Sequence, residues 1–169
     1  MENYRIKKSD ASIIKIELNS QGDYAAVSTD DPTLFDRFAA GCKQIAELAE
    51  AIPAKLGEIE KQYEGKSDFS SIMEKTVSMS RVNVGFSKEA VGIVDSILGE
   101  GTIKKYFRSI YEEIPDFLPD ADCFIAFLEE LTPVMEKLFG RKMERQQKVS
   151  KARMEKYRPQ DYKKPGTKK

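Results

Sequence analysis

The apolar positions change rhythm after Thr29. Before it, Ile14, Ile16 and Leu18 alternate with Lys15 and Glu17 across Ser12–Leu18, the two-residue period of a strand with one face buried. Asn19-Ser-Gln-Gly-Asp23 carries turn chemistry, and Tyr24-Ala-Ala-Val-Ser-Thr29 resumes an extended pattern. Two strands around a Gly-containing loop predict a β-hairpin. A lone hairpin is marginal in water. This one must pack on helices of its own chain or pair with a strand of another subunit.

After Thr29 the period lengthens. Asp30-Asp31-Pro32 predicts a helix start, with an Asp as cap and Pro at the first helical position. Phe38, Cys42, Ile45, Ala49, Ile52, Leu56, Ile59 and Tyr63 then recur at alternating intervals of four and three. That is the seam of a coiled coil or of a long helical hairpin. Pro53 lacks an amide donor and costs a helix interior about 3 kcal/mol, so a kink or break is expected near Ala49–Ile52. Gly65 is placed to end the segment.

A further helix starts at Ser67 or Asp68 and carries two apolar lines. One runs through Phe69, Ile72, Met79, Phe86, Ala90, Ile93 and Ile97; the other through Val77, Val84, Val91 and Leu98. Two lines predict burial on more than one side. The strand-like alternation of Arg81–Phe86 and its β-branched residues predict a break around Asn83–Ser87, with Ser87 capping a shorter helix. Leu98-Gly-Glu-Gly-Thr102 reads as a turn, with Thr102 the cap of a helix over Ile103–Tyr111. Ile114-Pro-Asp-Phe-Leu-Pro-Asp120 reads as a linker. Asp120 opens a last helix with Phe124, Phe127, Leu128, Leu131, Met135, Leu138 and Phe139 on one face and Pro133 inside it as a potential kink. Beyond Gly140 the apolar face vanishes: only Met143, Val149, Met154 and Tyr157 interrupt polar residues, and the end from Asp161 is disordered by composition. The chain thus divides into a hairpin (1–31), a helical body (32–140) and a C-terminal helix with a tail (141–169).

Charge follows the same boundary. Arg141–Lys169 holds twelve Lys or Arg against three Asp or Glu, a net +9, while the preceding 140 residues carry −9. A basic arm on an acidic body seeks an anion: nucleic acid, a membrane surface, or an acidic protein face, the body of a neighbouring copy included. Tyr157 and Tyr162 are potential base-stacking residues, but no helix-turn-helix, RRM or zinc pattern accompanies the arm, which favours protein over nucleic acid.

The chain has no histidine and no tryptophan. Triads, Cys-His pairs, His-ligated metals and imidazole acid–base chemistry are therefore excluded. Cys42 and Cys123 lie 81 residues apart, each in an apolar helical pattern, as buried free thiols would. Gly99-Glu-Gly101-Thr102 looks superficially like a phosphate cradle, but its spacing is neither GxGxxG nor that of a P-loop. The acidic runs at Glu112-Glu113, Asp116, Asp120, Asp122 and Glu129-Glu130 lack EF-hand spacing and read as solvated helix ends. No signal-like segment follows Met1 and no apolar run spans a membrane, so a cytoplasmic protein without cofactor or metal is expected.

Val94-Asp-Ser-Ile-Leu-Gly-Glu-Gly-Thr-Ile-Lys-Lys-Tyr-Phe107, then Phe124-Ile-Ala-Phe-Leu-Glu-Glu-Leu-Thr-Pro133, then a basic stretch ending Lys156-Tyr157 together resemble small proteins of the tail modules of phages and prophages of Gram-positive bacteria. Those carry Asp-x-(hydrophobic)-(Phe/Leu)-Gly-x-Gly-Thr before a Lys-Lys-x-Phe helix, a Phe-rich helix with a late Pro, and a basic end; Leu98 stands here where Phe is more usual. The resemblance implies a tail assembly chaperone. Such a protein binds the largely helical tape-measure protein, or other tail proteins such as those of the tail tube, and keeps the client soluble during morphogenesis. It brings no catalytic residue.

The expectation is a mainly α protein with a small N-terminal β-hairpin, four or five helices and an extended basic C-terminal helix or arm. It binds protein without turnover and is open to homo-oligomerisation. Partner contacts are assigned to Phe124, Phe127, Leu131 and Phe139, for which ordinary core is an equal reading, and to Arg141, Arg145, Lys148, Arg153 and Tyr157 in the arm. The alternatives are a nucleic-acid-binding accessory protein using the arm and a self-assembling structural tail subunit.

Overall fold

The computed structural model describes residues 12–156. Among them it is mainly helical, with one two-stranded sheet. Strands β1 (Ile13–Glu17) and β2 (Tyr24–Ser28) pair antiparallel with Ile16 opposite Ala25 and Glu17 opposite Tyr24. The alternation places Ile16, Leu18, Ala25 and Val27 inward, all buried. Asn19 closes the turn: its Oδ1 accepts from Gln21 N at 2.8 Å, and its Nδ2 donates to Asp23 Oδ2 and to the Lys105 carbonyl, both at 2.7 Å. Gly22 supplies the positive φ of 89°. The hairpin packs on its own helices, β2 meeting α3 and α4.

Helix α1 (Leu34–Glu50) begins later than Asp30-Asp31-Pro32 predicts. Asp31 does not cap it. Its carboxylate accepts from the Thr33 amide and hydroxyl and pairs with Arg37 at 2.7 Å, making a turn that precedes the helix. These bonds hold the Asp31 carboxyl below the ordinary carboxylate range, Thr33 contributing most. The break before Pro53 falls at Ala51, and α2 (Ile52–Gln62) follows with Pro53 in its first turn. Gly65, at φ 75°, turns the chain. Asp68 then caps α3 (Phe69–Leu98), accepting from the Ser71 amide at 3.0 Å.

The expected break at Asn83–Ser87 is absent: α3 is one helix of 30 residues. Ser87 is no cap; it is buried and its hydroxyl donates to the Pro119 carbonyl. Phe86 meets Phe124 edge to face with ring centroids 5.7 Å apart. Helix propensities differ by only tenths of a kcal/mol for most residues, and packing of this kind overrides them. The helix expected over Ile103–Tyr111 is instead two short ones, α4 (Thr102–Tyr106) and α5 (Arg108–Glu113). They part at Phe107, whose ring is drawn between Tyr106 and Phe117. Helix α6 (Ala121–Lys156) starts at Asp120, which accepts from Cys123 N at 2.9 Å, and passes Pro133 without interruption.

Helix α3 runs antiparallel to α1: Arg37 donates to the Ser96 carbonyl, and a Cβ at Gly41 would lie 2.5 Å from Ile97 Cδ1. Helix α6 starts beside Phe86 and reaches Phe35, at the start of α1, through Phe139 (centroids 4.9 Å apart), so it runs parallel to α3. The hairpin, α1, the second half of α3, α4 and the first half of α6 enclose one core around Phe124, Ile45, Ile103, Ala90 and Met135. Two elements leave this body in opposite directions. One is the arm of α2 with the first half of α3, which has no buried residue before Phe86. The other is the end of α6 past Gly140, wholly exposed apart from the partly buried Lys142. No described helix is long and apolar enough to cross a membrane.

Candidate partner-binding surfaces

The glycine turn after α3 is a staple rather than a cradle. Gly99 and Gly101 take φ of 107° and 79°. The Gly101 amide donates to Asp95 Oδ2 at 3.2 Å, and the Thr102 hydroxyl to the Gly99 carbonyl at 2.7 Å. A carboxylate already occupies the place an incoming phosphate would need, so the conspicuous Asp-Ser-Ile-Leu-Gly-Glu-Gly-Thr segment is explained by turn closure. No cluster of acidic, cysteine or histidine side chains that could hold a metal occurs among the described residues. Cys42 and Cys123 are free and partly buried, and burial is the first cause that pushes both thiols above their ordinary pKa. A raised pKa disfavours the reactive thiolate.

The residues assigned to partner contact separate into two groups. Phe124, Phe127 and Leu131 are core: Phe124 is fully enclosed against Phe86, and Phe127 meets Tyr106 at 4.7 Å between ring centroids. They offer no surface to a partner, and that assignment is corrected to a folding role. A helix carrying an apolar stripe next to a body with a hole of matching length fills the hole first. Phe139 is half exposed, with one side on Phe35. Arg141, Arg145, Lys148 and Arg153 stand in solvent on the α6 extension, and only the neighbouring Lys142 reaches back, over the Phe35 ring. Tyr157 lies outside the described residues, as does the tail expected to be disordered.

The larger exposed apolar surface was not assigned from sequence. On the first half of α3, Phe69 is 78% exposed, and Ile72, Met73 and Val77 are each about half exposed. Phe69, Met73, Val77 and Val84 fall on one line of the helix, the line that continues through Val91 to Leu98. In the body it is covered by the linker at Pro115, Phe117 and Leu118 and by the core. On the arm α2 packs against α3 from another side and leaves the line bare. A signal was available: α2 contributes one apolar line (Ile52, Leu56, Ile59), and one line cannot cover two.

Comparison with protein-family models, with curated proteins and with solved structures found no match to this chain.

Proposed function

We propose that this chain is a non-catalytic tail assembly chaperone. It holds a helical tail protein, first of all the tape measure, soluble in the host cytoplasm while tube subunits polymerise around it. One observation carries the reading: the exposed apolar patch of Phe69, Ile72, Met73 and Val77 on a projecting helix. Exposed apolar patches on a charge-rich chain mark sites of protein association. A line of this period suits an amphipathic client helix laid alongside α3, with contacts every three or four residues. The basic α6 extension adds steering toward acidic partners and solubility for the complex. The resemblance of the Val94–Phe107 and Phe124–Pro133 segments to tail-module proteins supplies the client.

Co-expression with a tape-measure protein tests it. Wild-type chain should retain the client in the soluble fraction and co-purify with it, and Phe69→Asp with Met73→Asp should lose both while staying folded. Retention of the client by that double variant would defeat the reading.

A second reading rests on a separate observation. Between Arg141 and Lys156 seven Lys or Arg face two Glu on an exposed helix, which suits a nucleic-acid backbone. DNA binding through about six phosphates should weaken by roughly three decades between 50 and 200 mM salt, whereas client binding through the α3 line should weaken far less. Strongly salt-dependent DNA shifts without client co-purification would replace the first reading with the second.

A further inference from the structure

We propose that two copies of this chain join edge to edge through β1, antiparallel and centred on Ile16, so that their two-stranded hairpins form one continuous sheet. The inference is independent of the client reading. It uses neither the arm of α2 and α3 nor the α6 extension.

The backbone supplies the first argument. The Leu18 amide donates to the Asp23 carbonyl, and the Thr29 amide to that of Ser12. In the register that opposes Ile16 to Ala25, these bonds make Ser12, Ile14, Ile16 and Leu18 the residues whose amides and carbonyls point to β2. Those of Ile13, Lys15 and Glu17 point the other way, along the outer edge of β1. No backbone hydrogen bond from another described residue reaches them. The backbone of β1 has β2 as its one substantial neighbour among the described elements, whereas β2 meets α3 and α4 and lies beside Leu98, Gly99 and Lys105. The hairpin therefore has one covered edge and one open edge. The open one has no Pro and no bulge, and Ile13, Lys15 and Glu17 along it are exposed. Unpaired backbone groups in such a row are a template for another strand.

The side chains choose the occupant. Antiparallel pairing through these groups sets odd-numbered residues against odd. Centred on Lys15 or on Glu17, it lays like charges directly opposite, which is destabilising. Centred on Ile14, it carries Glu17 past the end of the opposing strand. Centred on Ile16, it lays Lys15 against Glu17 of the other copy, and Glu17 against that copy's Lys15. The same register sets Ile16 against Ile16 and Ile14 against Leu18 on the inner face, in pairs whose side chains approach most closely. Lys15, whose Nζ is 4.4 Å from the centroid of the Tyr24 ring, then stands between that ring and the incoming carboxylate. A strand whose charges complement themselves about a two-fold axis fits a second copy of this chain. With the β2 edge covered, association closes at a dimer. A contact of one short strand a side is small, so the dimer is weak and reversible.

Sedimentation velocity on a concentration series of the full chain tests this. Wild type should pass from monomer to dimer and no further. Lys15→Glu and Glu17→Lys should each weaken that dimer by about tenfold or more, because each variant meets its own copy with two like pairs. An equimolar mixture of the two variants should dimerise as wild type does, since both pairs across the edge are opposite again. The double variant, Lys15→Glu with Glu17→Lys, should dimerise alone for the same reason. Both side chains are exposed, and circular dichroism checks that the variants keep the fold. A wild type that stays monomeric at every concentration overturns the proposal, as does a mixture that stays monomeric. A wild type that mixes with Lys15→Glu into a dimer tighter than its own would put Lys15 opposite Lys15 and overturn it too. Hydrogen exchange on the unaltered chain needs no variant: the Lys15 and Glu17 amides should be protected at high concentration and exchange freely at low. Equal exchange at both concentrations, fast or slow, would overturn the pairing.

Discussion

The first and second halves of α3 carry the same apolar rhythm and meet opposite fates. From Phe86 to Leu98 the helix lies between α1 and α6, and Phe86, Ala90, Val94, Ile97 and Leu98 are buried. From Phe69 to Gly85 it packs chiefly on α2, and no residue is buried. The difference lies in the number of layers. Three elements around a helix exclude water from two of its sides, and one element excludes it from one. Periodicity therefore tells which side of a helix is apolar, while the count of neighbours tells whether that side is covered.

The strongest way to break the comparison is truncation of one aromatic at each half of α3, Phe124 packed on the second and Phe69 on the first. Phe124→Ala empties the fully buried site against Phe86 and should cost about 3–5 kcal/mol in urea unfolding. Phe69→Ala, at 78% exposure, should stay within about 0.5 kcal/mol of wild type. Similar losses at both positions would mean that the arm line is covered in the isolated chain.

The glycines provide a gentler pair. A Cβ at Gly57 in α2 meets nothing within 4 Å, so Gly57→Ala should gain up to about 1 kcal/mol from helix propensity. A Cβ at Gly41 would sit 2.5 Å from Ile97 Cδ1 and 3.0 Å from Ile93 Cγ2. Overpacking offsets the gain there, and thermal unfolding of the two Ala variants should differ by about 1 kcal/mol or more.

The caps sharpen the contrast further. Asp68 caps α3 at the arm tip and Asp120 caps α6 in the body. Hydrogen bonding holds both carboxyls below their ordinary pKa, to Ser71 in the first case and Cys123 in the second. A depressed carboxyl contributes stability that is present above its unfolded pKa and lost as pH falls through the folded one. Asp68→Ala removes the cap and should destabilise the start of α3. The loss should appear as faster hydrogen exchange confined to the arm, whereas Asp120→Ala should loosen the body as a whole.

The smallest effect is alkaline. The Tyr106 phenol is pushed up to about 12, by burial first and then by its hydrogen bond to Glu130 at 2.7 Å. A raised folded pKa contributes stability that is fully present below the unfolded value near 10 and lost as pH rises through about 12. Tyr106→Phe should remove that part of the alkaline transition, read by unfolding at a series of pH values, and leave exchange in the arm unchanged.

Much of the fold was legible because its signals are local. Alternation at Ile14–Leu18, turn residues at Asn19–Asp23, Pro53 after Ala51, and Asp68 and Asp120 as caps each act within a few residues of themselves. The misreadings share a cause. At Asn83–Ser87 and at Phe107, weak local preference was outweighed by contacts from far along the chain, Pro119 and Phe124 in one case and Phe117 in the other. Among the candidate contact residues, the arginines and lysines of the α6 extension are exposed as read. Phe124, Phe127 and Leu131 went the other way, because nothing in an apolar stripe distinguishes a surface awaiting a partner from one already filled.

By itself the sequence determined the hairpin, the break before Pro53, and the split between an acidic body and a basic end. Each follows from local backbone preference or from a count of charges. Only the tertiary structure decided which apolar lines are core and which remain bare. It closed the body over Phe124 and left Phe69 uncovered on the arm. The physical reason is that burial belongs to neighbours: apolar residues recur along the whole of α3, and the linker and α6 reach only its second half.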